Sequence, residues 1–119
     1  MKIETDDDLA ALAGRTDIER LNCSYSEITD AGLVHLADLS GLRELDIRDT
    51  RVTDAGLAHL AGLSGLRTLG LGGTRVTDAG LAHIKSMSGL GELYIGGMQV
   101  TADGAAWIRK QLPNCKVWW

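Results

Sequence analysis

The feature that most constrains this chain is a sequence repeat with a period of 24 residues. Residues 42–65 and 66–89 are identical at 15 of 24 aligned positions, and residues 18–41 match 42–65 at 12 of 24. Residues 90–113 form a weaker copy in the same register. Such self-similarity predicts a stack of equivalent units, because one unit is too small to bury its own apolar side.

The repeats account for almost all of the 119 residues, a length that can bury a real core. We therefore predict a single domain over residues 1–119. It consists of an N-terminal half repeat, four full repeats and a closing strand, at residues 1–17, 18–41, 42–65, 66–89, 90–113 and 114–119.

The first half of each repeat has the pattern of a strand. Leu45 and Ile47 are apolar and alternate with polar residues, as do Leu69 and Leu71 one period later. A period of two predicts a strand with one buried face. Cys23 occupies the same inward position as Ile47, so we expect it in the core.

The second half of each repeat has the pattern of a helix. The pair Thr53-Asp54 is suited to begin a helix, with the threonine as N-cap. Leu57 and Leu60 follow at helical spacing. The pair Ser64-Gly65 ends the unit, and its glycine is expected to adopt the left-handed conformation.

The shared pattern Leu-x-x-Leu-x-Leu-x-x-Thr-x-Val-Thr-Asp-Ala-Gly-Leu resembles the leucine-rich repeats of the 24-residue bacterial type. It is also similar to the cysteine-containing repeats that accompany F-box adaptors. The resemblance covers nearly the whole chain and implies an α/β leucine-rich-repeat right-handed solenoid, with a parallel sheet on the concave face and helices on the convex face.

In that family the ninth repeat position often carries Asn or Cys, which bonds to the backbone inside the turn. Here the position holds Ser26, Thr50 and Thr74, whose hydroxyls are expected to do similar work. Met98 departs from the pattern, so we expect the last full repeat to differ locally.

If the strand leucines point inward, the residues between them form the concave face, through which such proteins bind partners. Between the two most similar repeats, most differences fall on this face or at the end of the helix, while the segment VTDAGLAH is invariant. We hypothesise that Tyr94 and Trp118 anchor a protein partner, because aromatic side chains are common binding anchors. The arginines and Asp46 would add polar specificity. The predicted binding residues are Tyr25, Arg43, Asp46, Arg48, Arg67, Glu92, Tyr94 and Trp118.

Two other interpretations of this face stay open. Its variable residues could be tolerant surface positions without a role. The chain could equally be a structural or engineered repeat scaffold, or a fragment of a larger protein, with no partner of its own.

The charge and composition exclude several partner classes. The net charge is −4 and acids interleave with the basic residues, so we expect no nucleic-acid partner. The run Asp6-Asp7-Asp8 is expected to complement a helix dipole.

No apolar stretch is long enough to cross a bilayer, and no signal peptide is evident, so we expect a cytoplasmic protein. Cys23 and Cys115 lie at opposite ends of the repeat map and are not expected to pair.

We expect neither catalysis nor a cofactor or metal. His35, His59 and His83 form a column, but helices pack about 8–10 Å apart, so their side chains stand side by side without converging. The segment 70–73 is glycine-rich, yet no Gly-Lys-Ser/Thr follows it, which argues against phosphate binding.

The C-terminus carries all three tryptophans, Trp107, Trp118 and Trp119. Val117 and Trp119 match inward strand positions, which predicts a cap over the last repeat. The alternative is that this edge strand pairs with another copy of the chain or with a following domain.

Overall fold

The computed structural model describes residues 2–97 and 99–119. The molecule measures 38 × 24 × 19 Å along its principal axes. Met98, where a local departure from the repeat was expected, lies outside the described residues.

Five short parallel strands form one sheet in chain order. The strands are β1 (Arg20–Asn22), β2 (Glu44–Asp46), β3 (Thr68–Gly70), β4 (Glu92–Tyr94) and β5 (Lys116–Trp118).

Helical turns connect the strands on the other side of the sheet. The α-helices are α1 (Asp6–Ala10), α2 (Asp30–Leu33), α3 (Asp54–Leu57), α4 (Leu81–Ile84) and α5 (Ala102–Gln111). Short 3₁₀ turns cover Val34–Leu36 and Asp78–Gly80.

Neighbouring strands pair at an offset of one sequence repeat. The central residues Leu21, Leu45, Leu69, Leu93 and Val117 are register partners from one strand to the next. The predicted fold class, a leucine-rich-repeat solenoid with a parallel sheet and helices on the opposite face, is therefore confirmed.

The core is a continuous aliphatic column that runs through all turns of the solenoid. The predicted inward strand positions of the full repeats are buried, and Cys23 is buried among them as expected. Near the N-terminus, Ile3, Leu9 and Leu12 extend the same core. At the other end Val117 is half-buried against it.

The convex elements are shorter than the predicted helices. Helices α2, α3 and α4 have four residues each, and only α5 reaches ten. Glycine occupies the first turn of α2 and α3 and is a poor helix former. Sequence periodicity identified these positions correctly as helical but overestimated the length of the helices.

The hydroxyls at the ninth repeat position bond inside the turn, as expected. Thr50 donates to the carbonyl of Ile47 at 2.8 Å, and Thr74 donates to that of Leu71 at 2.7 Å. Ser26 makes the equivalent bond at 2.6 Å. Each bond satisfies a polar group inside the turn that follows the strand.

Carboxylates link successive turns of the solenoid. In each link, an aspartate at the start of one helical turn accepts two hydrogen bonds from a threonine 23 residues later. The backbone N–H donates at 2.7–2.8 Å, and the hydroxyl donates at 2.5–2.6 Å. The linked pairs are Asp6–Thr29, Asp30–Thr53, Asp54–Thr77 and Asp78–Thr101.

These links revise the interpretation of the Thr-Asp motif. Thr29 accepts a capping N–H bond, as predicted for an N-cap residue, but Thr53 and Thr77 do not. Thr101, which is followed by Ala102, accepts one as well. All four threonines serve as donors to the preceding turn. The bonds from Thr101 hold the pKa of Asp78 below its usual value.

The glycine of each Thr-Asp-Ala-Gly motif makes room for the link. A Cβ atom added at Gly56 would overlap the Asp30 carboxylate, and one at Gly80 would overlap that of Asp54. The requirement at these positions is therefore space for the preceding turn.

The glycines of the Ser-Gly pairs do not adopt the predicted left-handed conformation. None of Gly41, Gly65 and Gly89 has a positive φ. Close approach explains two of them. A Cβ at Gly41 would overlap the carbonyl oxygen of Thr16, and one at Gly89 would overlap the Arg67 guanidinium.

A different column of residues adopts the left-handed conformation. It contains Tyr25 (φ 58°), Asp49 (φ 55°), Gly73 (φ 72°) and Gly97 (φ 70°), each three residues after a strand. Glycine adopts this conformation freely, whereas a bulky side chain is strained in it. Tyr25 is also 77% exposed, so little packing compensates for its strain.

We predict that Asp54→Ala lowers the free energy of unfolding by about 1–3 kcal/mol, because it leaves the Thr77 N–H and hydroxyl without their acceptor. Asp103→Ala is the matched control, since it removes the same charge from a helical first turn outside the links. Its expected loss is below about 1 kcal/mol. Urea denaturation measures both changes, and equal losses would contradict a special role for the link.

We predict that Tyr25→Gly raises the free energy of unfolding by about 0.5–1 kcal/mol, because the relief of left-handed strain exceeds the entropic cost of glycine. Tyr25→Ala retains a Cβ and should not stabilise the protein. Thermal denaturation of the two variants tests this difference, and a Gly variant no more stable than the Ala variant would refute it.

Candidate functional site

A groove of about 690 Å³ crosses the concave face of the sheet. The strand residues that flank the buried leucines supply most of its walls. Its lining residues are Arg20, Leu21, Asn22, Glu44, Leu45, Asp46, Arg48, Thr68, Gly70 and Tyr94. Among the predicted binding residues, Asp46, Arg48 and Tyr94 therefore share one cavity.

Asp46 and Arg48 form a fork-like ion pair in the middle of this groove. The Arg48 Nε lies 2.9 Å from Asp46 Oδ1, and its terminal nitrogen lies 2.7 Å from Oδ2. The Arg48 backbone N–H also donates to Oδ1 at 3.1 Å. Hydrogen bonding and the carboxylate charge together raise the pKa of Arg48 above its usual value. The guanidinium is thus held in a defined orientation.

Because Gly70 has no side chain, the Asp46–Arg48 ion pair can lie close to the sheet. A Cβ at Gly70 would come within 3.1 Å of Asp46 Oδ1 and 3.4 Å of Arg48 Cγ. The space above Gly70 is therefore partly filled by the Arg48 side chain.

The first two strands contribute further polar contacts. Arg20 pairs with Glu44 across the strands at 2.7 Å. The Asn22 side-chain oxygen accepts bonds from the Ser24 N–H at 2.9 Å and from its hydroxyl at 2.6 Å. This end of the groove offers both donors and acceptors, with its opposite charges already paired.

The other half of the concave face is aromatic. The rings of Tyr94 and Trp118 stack with centroids 6.0 Å apart and planes inclined by 8°. The Tyr94 hydroxyl donates to Glu92 Oε2 at 2.6 Å, and this bond raises the pKa of Tyr94. Trp118 is 52% exposed. Three predicted binding residues thus form one cluster, which we call the aromatic cluster: Glu92, Tyr94 and Trp118.

The remaining predicted residues lie at the margins of the face. Tyr25 borders a second depression beside residues 2–5. Arg43 and Arg67 border a third, at the edge where the strands begin. Arg43 lies 3.4 Å from Glu19, whereas Arg67 donates to the carbonyls of Ser64 and Leu66.

Four groove residues were placed on the concave face by the repeat pattern but were not selected as binding residues. They are Arg20, Asn22, Glu44 and Thr68. The repeat alignment contained a usable signal for two of them, because Arg20 and Glu44 are one period apart and have opposite charges. Such residues become neighbours in a parallel sheet.

Burial governs the chemistry of the two cysteines. Both thiols are free. Burial raises the pKa of Cys23 to about 12, so it is a protonated core residue at neutral pH. Burial also raises the pKa of Cys115. The described residues include no group of three or more His, Cys, Asp or Glu placed to hold a metal ion.

Trp119 does not fill the inward position predicted for it. The side chain is 56% exposed, and its indole N–H donates to the carbonyl of Val100 at 3.0 Å. The polar N–H is satisfied at the end of the solenoid while much of the ring stays in solvent. The inward position of β5 is taken by Val117.

No helix within the described ranges is long and apolar enough to cross a membrane.

Three solved structures with a similar architecture come from bacterial proteins. An internalin C2 of Listeria monocytogenes superposes with a TM-score of 0.70 at 28% identity, covering 83% of this chain and 42% of that one. A leucine-rich-repeat protein of Leptospira interrogans gives 0.65 at 21% identity, covering 85% and 25%. An internalin F of L. monocytogenes gives 0.57 at 20%, covering 86% and 34%.

The chain spans less than half the length of each of these structures. No protein-family model and no curated protein sequence matches it. The 24-residue repeat, the in-register parallel sheet and the similar solved structures together show that the chain has the leucine-rich-repeat fold.

Proposed function

We propose that this chain is a non-catalytic interaction module that binds a protein partner through the concave face of its sheet. The observation that carries the proposal is the stack of the half-buried Tyr94 on the exposed Trp118, beside a groove of about 690 Å³. Aromatic side chains are enriched among the residues that contribute most to binding energy, and a fixed sheet presents them with little loss of entropy.

The polar half of the groove supports specificity more than affinity. The Asp46–Arg48 and Arg20–Glu44 pairs are already formed in the free chain, so a partner gains little from their charges alone. A partner whose polar groups do not match these ion pairs would lose hydrogen bonds to water on binding without forming new ones in the groove. We propose Asp46 and Arg48 as selectivity residues, with Tyr94 and Trp118 as anchors.

The marginal residues contribute less in this proposal. The Arg67 guanidinium is engaged with backbone carbonyls, and we assign it a structural role. Tyr25 is the exception, because its left-handed backbone is strained and its ring is exposed. Strain without compensating packing supports a role in contacting the partner.

We propose no catalytic role, since the groove is open and the Cys23 thiol is buried and protonated. We also propose that the protein acts in the cytoplasm, where free thiols such as Cys23 and Cys115 are common.

The binding proposal predicts that Tyr94→Ala combined with Trp118→Ala lowers affinity for selected partners at least about tenfold, because the two anchors are removed. Partners would be selected from a displayed library of peptides and small domains, and binding measured by surface plasmon resonance. The control is His83→Ala combined with Trp107→Ala, which alters the convex side and should change affinity less than about twofold.

The selection also separates this proposal from a scaffold without a partner. A scaffold would yield no ligand whose binding depends on the concave face. Unchanged affinity in the Tyr94/Trp118 variant would likewise refute the proposed face.

Self-association through the C-terminal strand remains a second proposal. Among the described strands β5 pairs with β4 only, and it carries the exposed Trp118, followed by the exposed Trp119. An edge strand of this kind can pair with another chain.

We predict that sedimentation velocity shows the average mass rising with protein concentration, and that Val117→Pro suppresses the rise because proline removes a backbone donor from the strand. A clean monomer at all concentrations would exclude the pairing.

A further inference from the structure

We propose that the aromatic cluster, Glu92, Tyr94 and Trp118, binds the ammonium group of a lysine side chain presented by the partner. This inference rests on the proposed concave binding face and specifies the chemistry recognised at one end of it.

The two stacked rings provide an electron-rich surface. Tyr94 and Trp118 lie parallel with centroids 6.0 Å apart, and more than half of Trp118 is open to solvent. The faces of aromatic rings attract cations, and tryptophan does so most strongly. The Tyr94 O–H donates to the Glu92 carboxylate at 2.6 Å, which shifts electron density into the phenol ring and strengthens this attraction.

Glu92 supplies a negative charge that is available to a ligand. The five strands contain three acidic residues, and two of them have cation partners within the face: Glu44 pairs with Arg20, and Asp46 pairs with Arg48. Glu92 has no ion pair among the described residues. The hydrogen bond that its carboxylate accepts comes from the uncharged Tyr94 hydroxyl.

The neighbouring cations leave this carboxylate accessible. Lys116 is the register partner of Glu92 on β5, but it is exposed and forms no ion pair within the described chain. Arg48 lies over Gly70, and its guanidinium is held by the Asp46 carboxylate. The net charge of −4 further favours the approach of a basic partner.

The geometry favours lysine over arginine. A guanidinium gains most from a carboxylate when both oxygens accept parallel bonds. In Glu92, Oε2 already accepts the Tyr94 hydroxyl, so Oε1 is the less occupied oxygen. An ammonium acts as a compact point charge and needs one such oxygen beside an aromatic face.

The test uses two short peptides, acetyl-Gly-Lys-Gly-amide and its norleucine counterpart, which keeps the aliphatic stem but lacks the charge. Titration of the intact chain is followed through the indole N–H resonances in ¹H–¹⁵N NMR spectra. We expect the lysine peptide to shift the Trp118 signal in a saturable way at millimolar concentration, while Trp107 on α5 stays unchanged. An equal shift with the norleucine peptide, or no Trp118 shift up to the solubility limit, overturns the inference.

Two charge-matched variants locate the interaction. Glu92→Gln keeps an acceptor for the Tyr94 hydroxyl but removes the charge, and should weaken lysine-peptide binding about threefold to fivefold. Asp103→Asn removes one negative charge from the first turn of α5, outside the groove lining, and should change binding less than about twofold. Equal effects of the two substitutions would reveal non-specific attraction and refute the site.

This outcome is distinguishable from failure of the proposed function. Library partners that depend on Tyr94 and Trp118 but bind equally well to the Glu92→Gln variant would retain the concave face as the interaction surface and eliminate the lysine site. Library partners unaffected by loss of both aromatics would eliminate the concave face, and the lysine site with it.

Discussion

The hydrogen bonds from each threonine to the aspartate of the preceding turn set the geometry on which the rest of the structure depends. A single repeat exposes its apolar side, so the solenoid is stable only when adjacent turns stack in one register. The carboxylate of Asp54, for example, fixes both the backbone and the hydroxyl of Thr77. The aliphatic core buries most of the apolar surface, but apolar contacts are not directional and do not by themselves select a register. The hydrogen bonds to the carboxylate are directional, and they do select one.

A fixed register makes the concave face a predictable array. Residues one period apart become neighbours across the sheet, which places Arg20 beside Glu44 and Tyr94 beside Trp118. The scaffold can therefore carry different side chains at each strand while its turns stay the same. One end of this face consists of charges that neutralise each other, and the other combines aromatic rings with the unpaired Glu92 carboxylate. This asymmetry gives the proposed partner a direction as well as a location.

Two of the predicted binding residues, Arg67 and Tyr25, differ in how their own chain accommodates them. Arg67 was predicted to contact a partner, yet its guanidinium lies where a side chain at Gly89 would be and bonds to backbone carbonyls. Tyr25 was predicted on the same grounds, and it remains exposed on a left-handed backbone that glycine occupies in later turns. The repeat pattern placed both residues on the concave face. Their side-chain contacts separate them, because the Arg67 guanidinium bonds to backbone carbonyls whereas the Tyr25 side chain is mostly open to solvent.

The repeat alone determined the fold class, the buried positions including Cys23 and the hydroxyl bonds of Thr50 and Thr74, because each follows from side-chain periodicity within one unit. Contacts between turns were decided only by the tertiary structure. Thr53 resembled an N-cap but serves Asp30, Gly65 does not take the predicted left-handed conformation, and Trp119 stays in solvent while Val117 meets the core. The Asp46–Arg48 fork and the Glu92–Tyr94 bond depend on side-chain directions and on space at Gly70, which a linear pattern does not encode.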